Sequence, residues 1–419
     1  SSSPPKEPKS ASTPKATNYK KIMKNTKYTH VDCFAGPGGF CTGLTASGFN
    51  TKVAVEYIRS CCDTYSHNHP DVHMICNDIR KVQADDILPY IPDEGVDLVT
   101  SGMPCETFST AGNSSRSFYD DRQVLFREGI RIAQICRAKL ILFENVPGIT
   151  SKKIDKSSEK LVITLLKEEL REAGYGNFVE VILDAASFGV PQHRRRFFIL
   201  AAKDGTWELT VPQEETDRHT VTVQEALCGL PDVVANSNEE QTEYLSCESD
   251  YSLLMKNDKF WSRQNLHYDR GILNHLPMKH RECTLKRFAL IQQGESLKTL
   301  FEKYQGKERQ NLQEQRILPK KMFIKRNYRL VSDEPAPTVT SHCLDEFIHP
   351  DSNRALTVRE CARLQSFPDS YNFTGGPYIV PHINREVQDK YEQIGDAVPP
   401  LLAYAWGENI KSILNKYRL

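Results

Sequence analysis

The stretch Tyr28-Thr29-His30-Val31-Asp32-Cys33-Phe34-Ala35-Gly36-Pro37-Gly38-Gly39-Phe40 decides the fold. Its first half reads as a strand, and Gly36 to Gly39 as a tight turn opening a helix that ends near Gly48. A second strand, Lys52 to Val55, stops at Glu56, roughly twenty residues after the glycines. In this arrangement glycines let the backbone approach a nucleotide-like ligand, and a carboxylate at the second strand's end takes two ribose hydroxyls. A third strand, Val72 to Cys76, delivers Asp78, whose carboxylate can accept from an adenine amino group. The glycines follow FxGxGG spacing without a P-loop lysine, which argues against nucleoside triphosphate binding. Gly36, Gly38, Gly39, Glu56 and Asp78 are the candidate cofactor residues; the plain alternative for the glycines is an ordinary tight turn.

Outward from this stretch the chain keeps alternating strand and helix as far as residue 203, which predicts an α/β fold, doubly wound around a mostly parallel sheet. Gly95 to Thr100 reads as a buried strand followed by Ser101-Gly102-Met103-Pro104-Cys105-Glu106-Thr107-Phe108-Ser109. Cys105 then falls at a strand's carboxyl end, where open α/β sheets bind ligands, and a cysteine there attacks as its thiolate. The plain alternative for a lone cysteine is a small buried apolar residue. Asn113 to Asp121 is polar and reads as a lid, and Gln123 to Ala138 as a helix. The strand Lys139 to Phe143 ends at Glu144-Asn145-Val146-Pro147-Gly148, where the Glu144 carboxyl can hold a proton near the cysteine; the alternative is an exposed turn glutamate. A helix over Lys156 to Ala173 and a strand over Val179 to Leu183 follow. In Gln192-His193-Arg194-Arg195-Arg196-Phe197-Phe198, alternation places Arg194 and Arg196 on one side and Arg195 on the other.

Residues 204 to about 356 lose this rhythm. They hold a polar acidic stretch from Asn236 to Asp250, a helical piece over Thr284 to Tyr304, and a run from Arg316 to Arg329 free of acids. Lys320, Lys321, Lys325, Arg326 and Arg329, interleaved with Phe323 and Tyr328, form the candidate phosphate-tracking surface, with a solvated basic face as the alternative. Leu356 to Asp369 looks like a capped helix, and Gln393 to Pro400 opens a closing amphipathic helix.

Composition excludes little. The 419 residues carry 54 Lys plus Arg and 54 Asp plus Glu, so net charge favours neither a polyanionic partner nor its absence. Residues 1 to 27, with seven lysines against Glu7 and almost nothing to bury, predict a disordered tail or linker. Ser1 reads as a processed end or a fragment edge. The twelve cysteines show no zinc spacing, and with no secretory signal or bilayer-length apolar run they predict a reduced intracellular protein without disulfides or a structural metal.

In their order, the segments DCFAGPGGF, GMPCETFS, FENVPG, QHRRRFF, RECARLQSFPD and IGDAVPP, with Glu56 and Asp78, resemble the cytosine-C5 methyltransferase family. The resemblance covers most of the chain from residue 28 apart from the middle of 204–335. It implies a catalytic and S-adenosylmethionine-binding domain at 28–203, a smaller target-recognition domain and hinge at 204–383, and a segment at 384–419 that returns to the first. It implies Cys105 as nucleophile toward carbon 6 of the base, Glu144 at N3 and the amino group, and Arg196 with Arg194 at O2. Phe34 and Ile79 would flank the adenine, and Pro104, Asp396 and Val398 would lie near the cofactor. The substrate implied is double-stranded DNA with its cytosine flipped out, in a bacterial cytoplasm or a eukaryotic nucleus; no membrane is involved and no protein partner is indicated. Glu106 stands where Gln is common, and Asp396 where Asn is usual. Two other functions stay open at this point: methylation of tRNA, although that branch's Cys-Phe-Thr signature is missing from the variable region, and a regulatory homologue without catalysis, against which an intact Cys105 and Glu144 count.

Overall fold

The structure is a computed structural model that describes residues 28–103, 125–154, 159–214, 219–263, 271–380 and 387–417. Pro104, Cys105, the stretch read as a lid and the amino-terminal tail lie outside the described residues. Seven strands form one sheet: β1 (Thr29–Cys33), β2 (Asn50–Glu56), β3 (His73–Cys76), β4 (Leu98–Ser101), β5 (Leu140–Asn145), β6 (Asn177–Asp184) and β7 (Arg195–Ala202). Their order is β3-β2-β1-β4-β5-β7-β6, parallel except where β7 runs against both β5 and β6. The order reverses between β1 and β4, so their carboxyl ends flank the crevice where such sheets take ligands.

Apolar residues alternate across the sheet. Leu140 and Leu142 of β5 enter one core with Phe198 and Leu200, whereas Ile141 and Phe143 enter the other with Phe197 and Ile199. Burial of both faces explains the near-continuous hydrophobic runs in the sequence. One polar exception on β1 is neutralised locally. His30 is fully buried between the hydroxyls of Thr51 (2.8 Å) and Thr100 (2.7 Å), and burial pushes its pKa down to about 3, so it stays uncharged.

The last helix, Pro400–Lys416, lies on the first, Gly39–Ala46. The close approach requires glycine: a Cβ on Gly43 would run into the Pro400 carbonyl, and one on Gly407 into the Ser47 side chain. Residues between 223 and 261 and between 330 and 373 share the core formed by this helix pair and one face of the sheet. A separate small core, including Phe288, Ile291, Leu297, Leu300, Leu318 and Ile348, organises the irregular region.

Two expectations need correction here. The single helical piece over 284–304 is two helices, Glu282–Ala289 and Leu297–Lys303; between them Gly294 takes a left-handed conformation (φ +80°) and donates its N–H to Arg329 O, which keeps the two from joining. The cysteines are not all reduced: Cys228 and Cys247 form a disulfide, with Cα atoms 5.8 Å apart. Leu245 donates its N–H to Gly229 O, which folds the intervening loop back and brings the two thiols into bridging range.

Candidate active site

Three strand ends converge on one carboxyl group. Glu144, at the end of β5, is buried, and its Oε1 lies 3.0 Å from Nε of Arg196 on β7. A Cβ on Gly102, just beyond β4, would sit 3.7 Å from Glu144 Oε2 and 3.8 Å from the Phe34 carbonyl oxygen beyond β1. Gly102 also donates its N–H to Cys33 O, and the Asn145 amide reaches Met103 O at 3.5 Å. The segment leading to Pro104 and Cys105 therefore leaves β4 beside Glu144. Burial pushes the Glu144 pKa up, opposed by the positive charges of Arg196 and then Arg194. A carboxyl group balanced in this way can exchange a proton with a bound ring.

Arg194 and Arg196 project to the same side, as alternation predicts, but they meet different partners. Arg194 is 2% exposed, and its guanidinium donates to the carbonyls of Val339 (2.7 Å), Gly395 (2.8 Å) and Ala397 (3.1 Å). This corrects the expectation that it contacts the base: a fork committed to three buried carbonyls is a structural tie between the sheet and the returning carboxyl-terminal segment. Gln192 extends the tie, accepting from Val339 N–H and donating to Leu364 O.

On the other side of β1, the glycine turn and Glu56 form a cradle. Glu56 is buried, with its pKa raised by burial, and accepts from Gly36 N–H (2.8 Å) and from the N–H groups of Tyr57 and Ile58 (2.7 Å each). Gly36 adopts φ +55° with open space where a side chain would stand. Phe34 also holds a positive φ of 56°, an uncommon state for a bulky residue that marks the turn as functionally constrained. A Cβ on Gly38 would meet the Tyr371 hydroxyl, and one on Gly39 would strike the Val398 carbonyl, so this turn is also held close to the carboxyl-terminal third.

Ile79 is buried in the core under this edge. Asp78 is occupied by Arg80, which pairs with its Oδ2 at 2.6 Å and holds its pKa below the usual carboxylate range. Asp396 is exposed and accepts from the Gln388 amide at 2.8 Å.

The residues fit a ligand that joins adenosine to a sulfonium cation. The open face at Gly36, the apolar Phe34 beside it and the buried Glu56 carboxyl are the groups that would meet an adenosine there, with Ile79 beneath them in the core. Asp32 is a second buried carboxyl group, on β1. Its Oδ1 accepts from Thr100 at 2.6 Å, its Oδ2 has no hydrogen-bond partner among the described residues, and burial pushes its pKa up to about 7. Sequence reasoning missed Asp32, which reads as part of the strand, and Tyr371, whose hydroxyl donates to Pro37 O across 334 residues.

A C-5 cytosine-specific DNA methylase model matches residues 28–412. The chain belongs to that family. Among its relatives, type II methyltransferase M.DdeI of Desulfomicrobium norvegicum is 34% identical over 385 residues, covering 91% of this chain and 88% of that protein. Type II methyltransferase M1.HphI of Haemophilus parahaemolyticus is 32% identical over 383 residues, covering 91% and 86%. The fold is shared with a prophage-encoded protein of Escherichia coli (TM-score 0.67, 23% identity, 93% and 100% coverage) and with the S. pombe Dnmt2 methyltransferase (0.55, 16%, 94% and 100%). This member of the cytosine methylase family is thus an enzyme on a methyltransferase fold. Among the described residues, no helix is long and apolar enough to cross a membrane.

The basic run of this methylase divides. Lys320, Lys321 and Lys325 are exposed. Arg326 is half-exposed and lies 3.3 Å from Asp345. Arg329 corrects its reading as a nucleic-acid contact. It is buried, and its guanidinium donates to the carbonyls of Phe288, Ile291, His349 and Ser352 and to Asn353 Oδ1, at 2.6–2.9 Å. It staples the small core and is withdrawn from any phosphate.

Proposed function

We propose that this protein transfers a methyl group from S-adenosylmethionine to carbon 5 of cytosine in double-stranded DNA, through a transient bond between Cys105 and carbon 6. The observation that carries the reading is the ion pair between buried Glu144 and part-buried Arg196 next to Gly102, three residues before Cys105. Carbon 5 of cytosine is a poor nucleophile until a thiolate adds at carbon 6 and drives electron density into the ring. Glu144 offsets that charge at N3 and the amino group, and Arg196 at O2. The donor supplies an electrophilic methyl on its sulfonium. Phe34, Ile79, the glycine turn, Pro104, Glu56, Asp78, Asp396 and Val398 would hold it, with Asp78 exchanging Arg80 for an adenine amino group. Loss of the carbon 5 proton then allows Cys105 to leave. The exposed Lys320, Lys321 and Lys325 would meet phosphates.

The test supplies labelled S-adenosylmethionine with DNA and tRNA in separate reactions. Label is expected in DNA, and Cys105→Ser should abolish both transfer and covalent trapping on 5-fluorocytosine DNA. Label in tRNA alone, or trapping that survives the substitution, contradicts the proposal.

A further inference from the structure

The turn at residues 36–39 cannot hold its shape by itself. Phe34, Gly36 and Gly38 all adopt positive φ (56°, 55° and 101°), and Phe34 carries a steric cost there while the two glycines carry an entropic one. One side of the turn is fixed from β2, through Ala35 N–H to Val55 O (3.1 Å) and Gly36 N–H to the Glu56 carboxyl (2.8 Å). Glu56 is also a group that would meet the ligand, so an anchor independent of the ligand must come from the other side.

Tyr371 supplies it. Its hydroxyl donates to Pro37 O, and its ring is buried and fixed by its neighbours: the Phe367 and Phe373 ring centroids lie 4.8 and 5.4 Å away, and the Arg263 guanidinium sits 5.0 Å over its face. Arg263 is itself buried and donates to Asn68 Oδ1 and Ser370 Oγ, both at 2.9 Å. The adjoining carbonyl, Gly38 O, accepts from the Thr42 hydroxyl at 2.7 Å. His69 links the two hydroxyls: its Nε2 lies 3.4 Å from that of Tyr371 and 3.3 Å from that of Thr42. Burial pushes the His69 pKa down to about 3, so no charge develops beneath the turn.

We propose that Tyr371 is a positioning residue for the methyl donor: together with Thr42 it clamps the Pro37 and Gly38 carbonyls and keeps the turn shaped for adenosine before the ligand arrives. The proposal rests on the S-adenosylmethionine reading above and adds to it a residue from the carboxyl-terminal third. A preorganised turn binds more tightly because the ligand does not have to order it. Without the hydroxyl, Pro37 O loses a buried donor and the turn relaxes between ligands, so affinity falls while the chemistry of the saturated enzyme does not.

Isothermal titration calorimetry with S-adenosylhomocysteine, the demethylated product, compares wild type with Tyr371→Phe and Tyr251→Phe. The second variant removes a buried hydroxyl that donates to Arg363 O instead of the turn, so it reports what the loss of a tyrosine hydroxyl does to this region in general. Tyr371→Phe should raise Kd about fivefold or more and the KM for S-adenosylmethionine by the same factor, with kcat and the KM for DNA within about twofold of wild type. Tyr251→Phe should lower the urea midpoint without moving either constant for the donor. An unchanged Kd in Tyr371→Phe, or an equal rise in Tyr251→Phe, overturns the clamp alone. Should Tyr371→Phe not fold, Thr42→Val takes its place with the same two outcomes. Wild-type protein that binds no S-adenosylhomocysteine overturns the donor reading and the clamp with it.

Discussion

The strand-end site holds a part-buried guanidinium and the small core of the irregular region a buried one, and the two do opposite things with it. Arg196 shares its pocket with an ionisable carboxyl group, Glu144, beside the open end of the sheet. Arg329 faces five carbonyls and one amide oxygen that cannot ionise. A buried cation paired with a titratable group can tune chemistry; one saturated by backbone oxygens can only hold structure.

The largest test of that contrast is Glu144→Gln, which keeps the shape and removes the exchangeable proton. Single-turnover methyl transfer should fall by about 10²- to 10⁴-fold with little change in urea midpoint; full activity would break the contrast at its functional end. Next in size, Arg329→Ala should cost about 3 kcal/mol or more in urea unfolding, because several buried carbonyls lose their donor at once. Arg326→Ala, three residues away and half-exposed, should cost about 0.5 kcal/mol or less, and equal losses would mean that burial does not distinguish the two arginines.

The subtlest test is the pH profile of Arg196→Gln. The Arg196 charge holds the Glu144 pKa down against burial, so its removal raises that pKa further. The protonated carboxyl then persists to higher pH, and the alkaline fall in single-turnover rate should move upward. A fall that stays in place would mean that Glu144 is not the group titrating.

These contrasts mark where sequence was sufficient. β1, the glycine turn and β2 were legible because strand pattern, turn and terminal carboxylate lie within one local unit, and Glu144 stood out because its strand ends abruptly in Glu-Asn-Val-Pro. Arg194 and Arg329 looked equivalent to their neighbours, since what separates them is supplied from far away in the chain: Val339 and Gly395 for one, Phe288 and His349 for the other. The break at Gly294 was lost in a helix-compatible pattern on both sides, and the Cys228–Cys247 bridge depends on a loop closure that spacing does not encode.

The pairing of the first helix with the last has a consequence during synthesis. While the chain emerges from a ribosome, the face of Gly39–Ala46 that meets Pro400–Lys416 has no such partner until that helix has been made, almost the whole length later. Contacts so distant in sequence form slowly and leave sticky surface exposed meanwhile. Nascent chains should therefore depend on chaperones until Pro400–Lys416 is released, and stalling short of residue 400 should yield aggregates rather than a dormant, separately folded half.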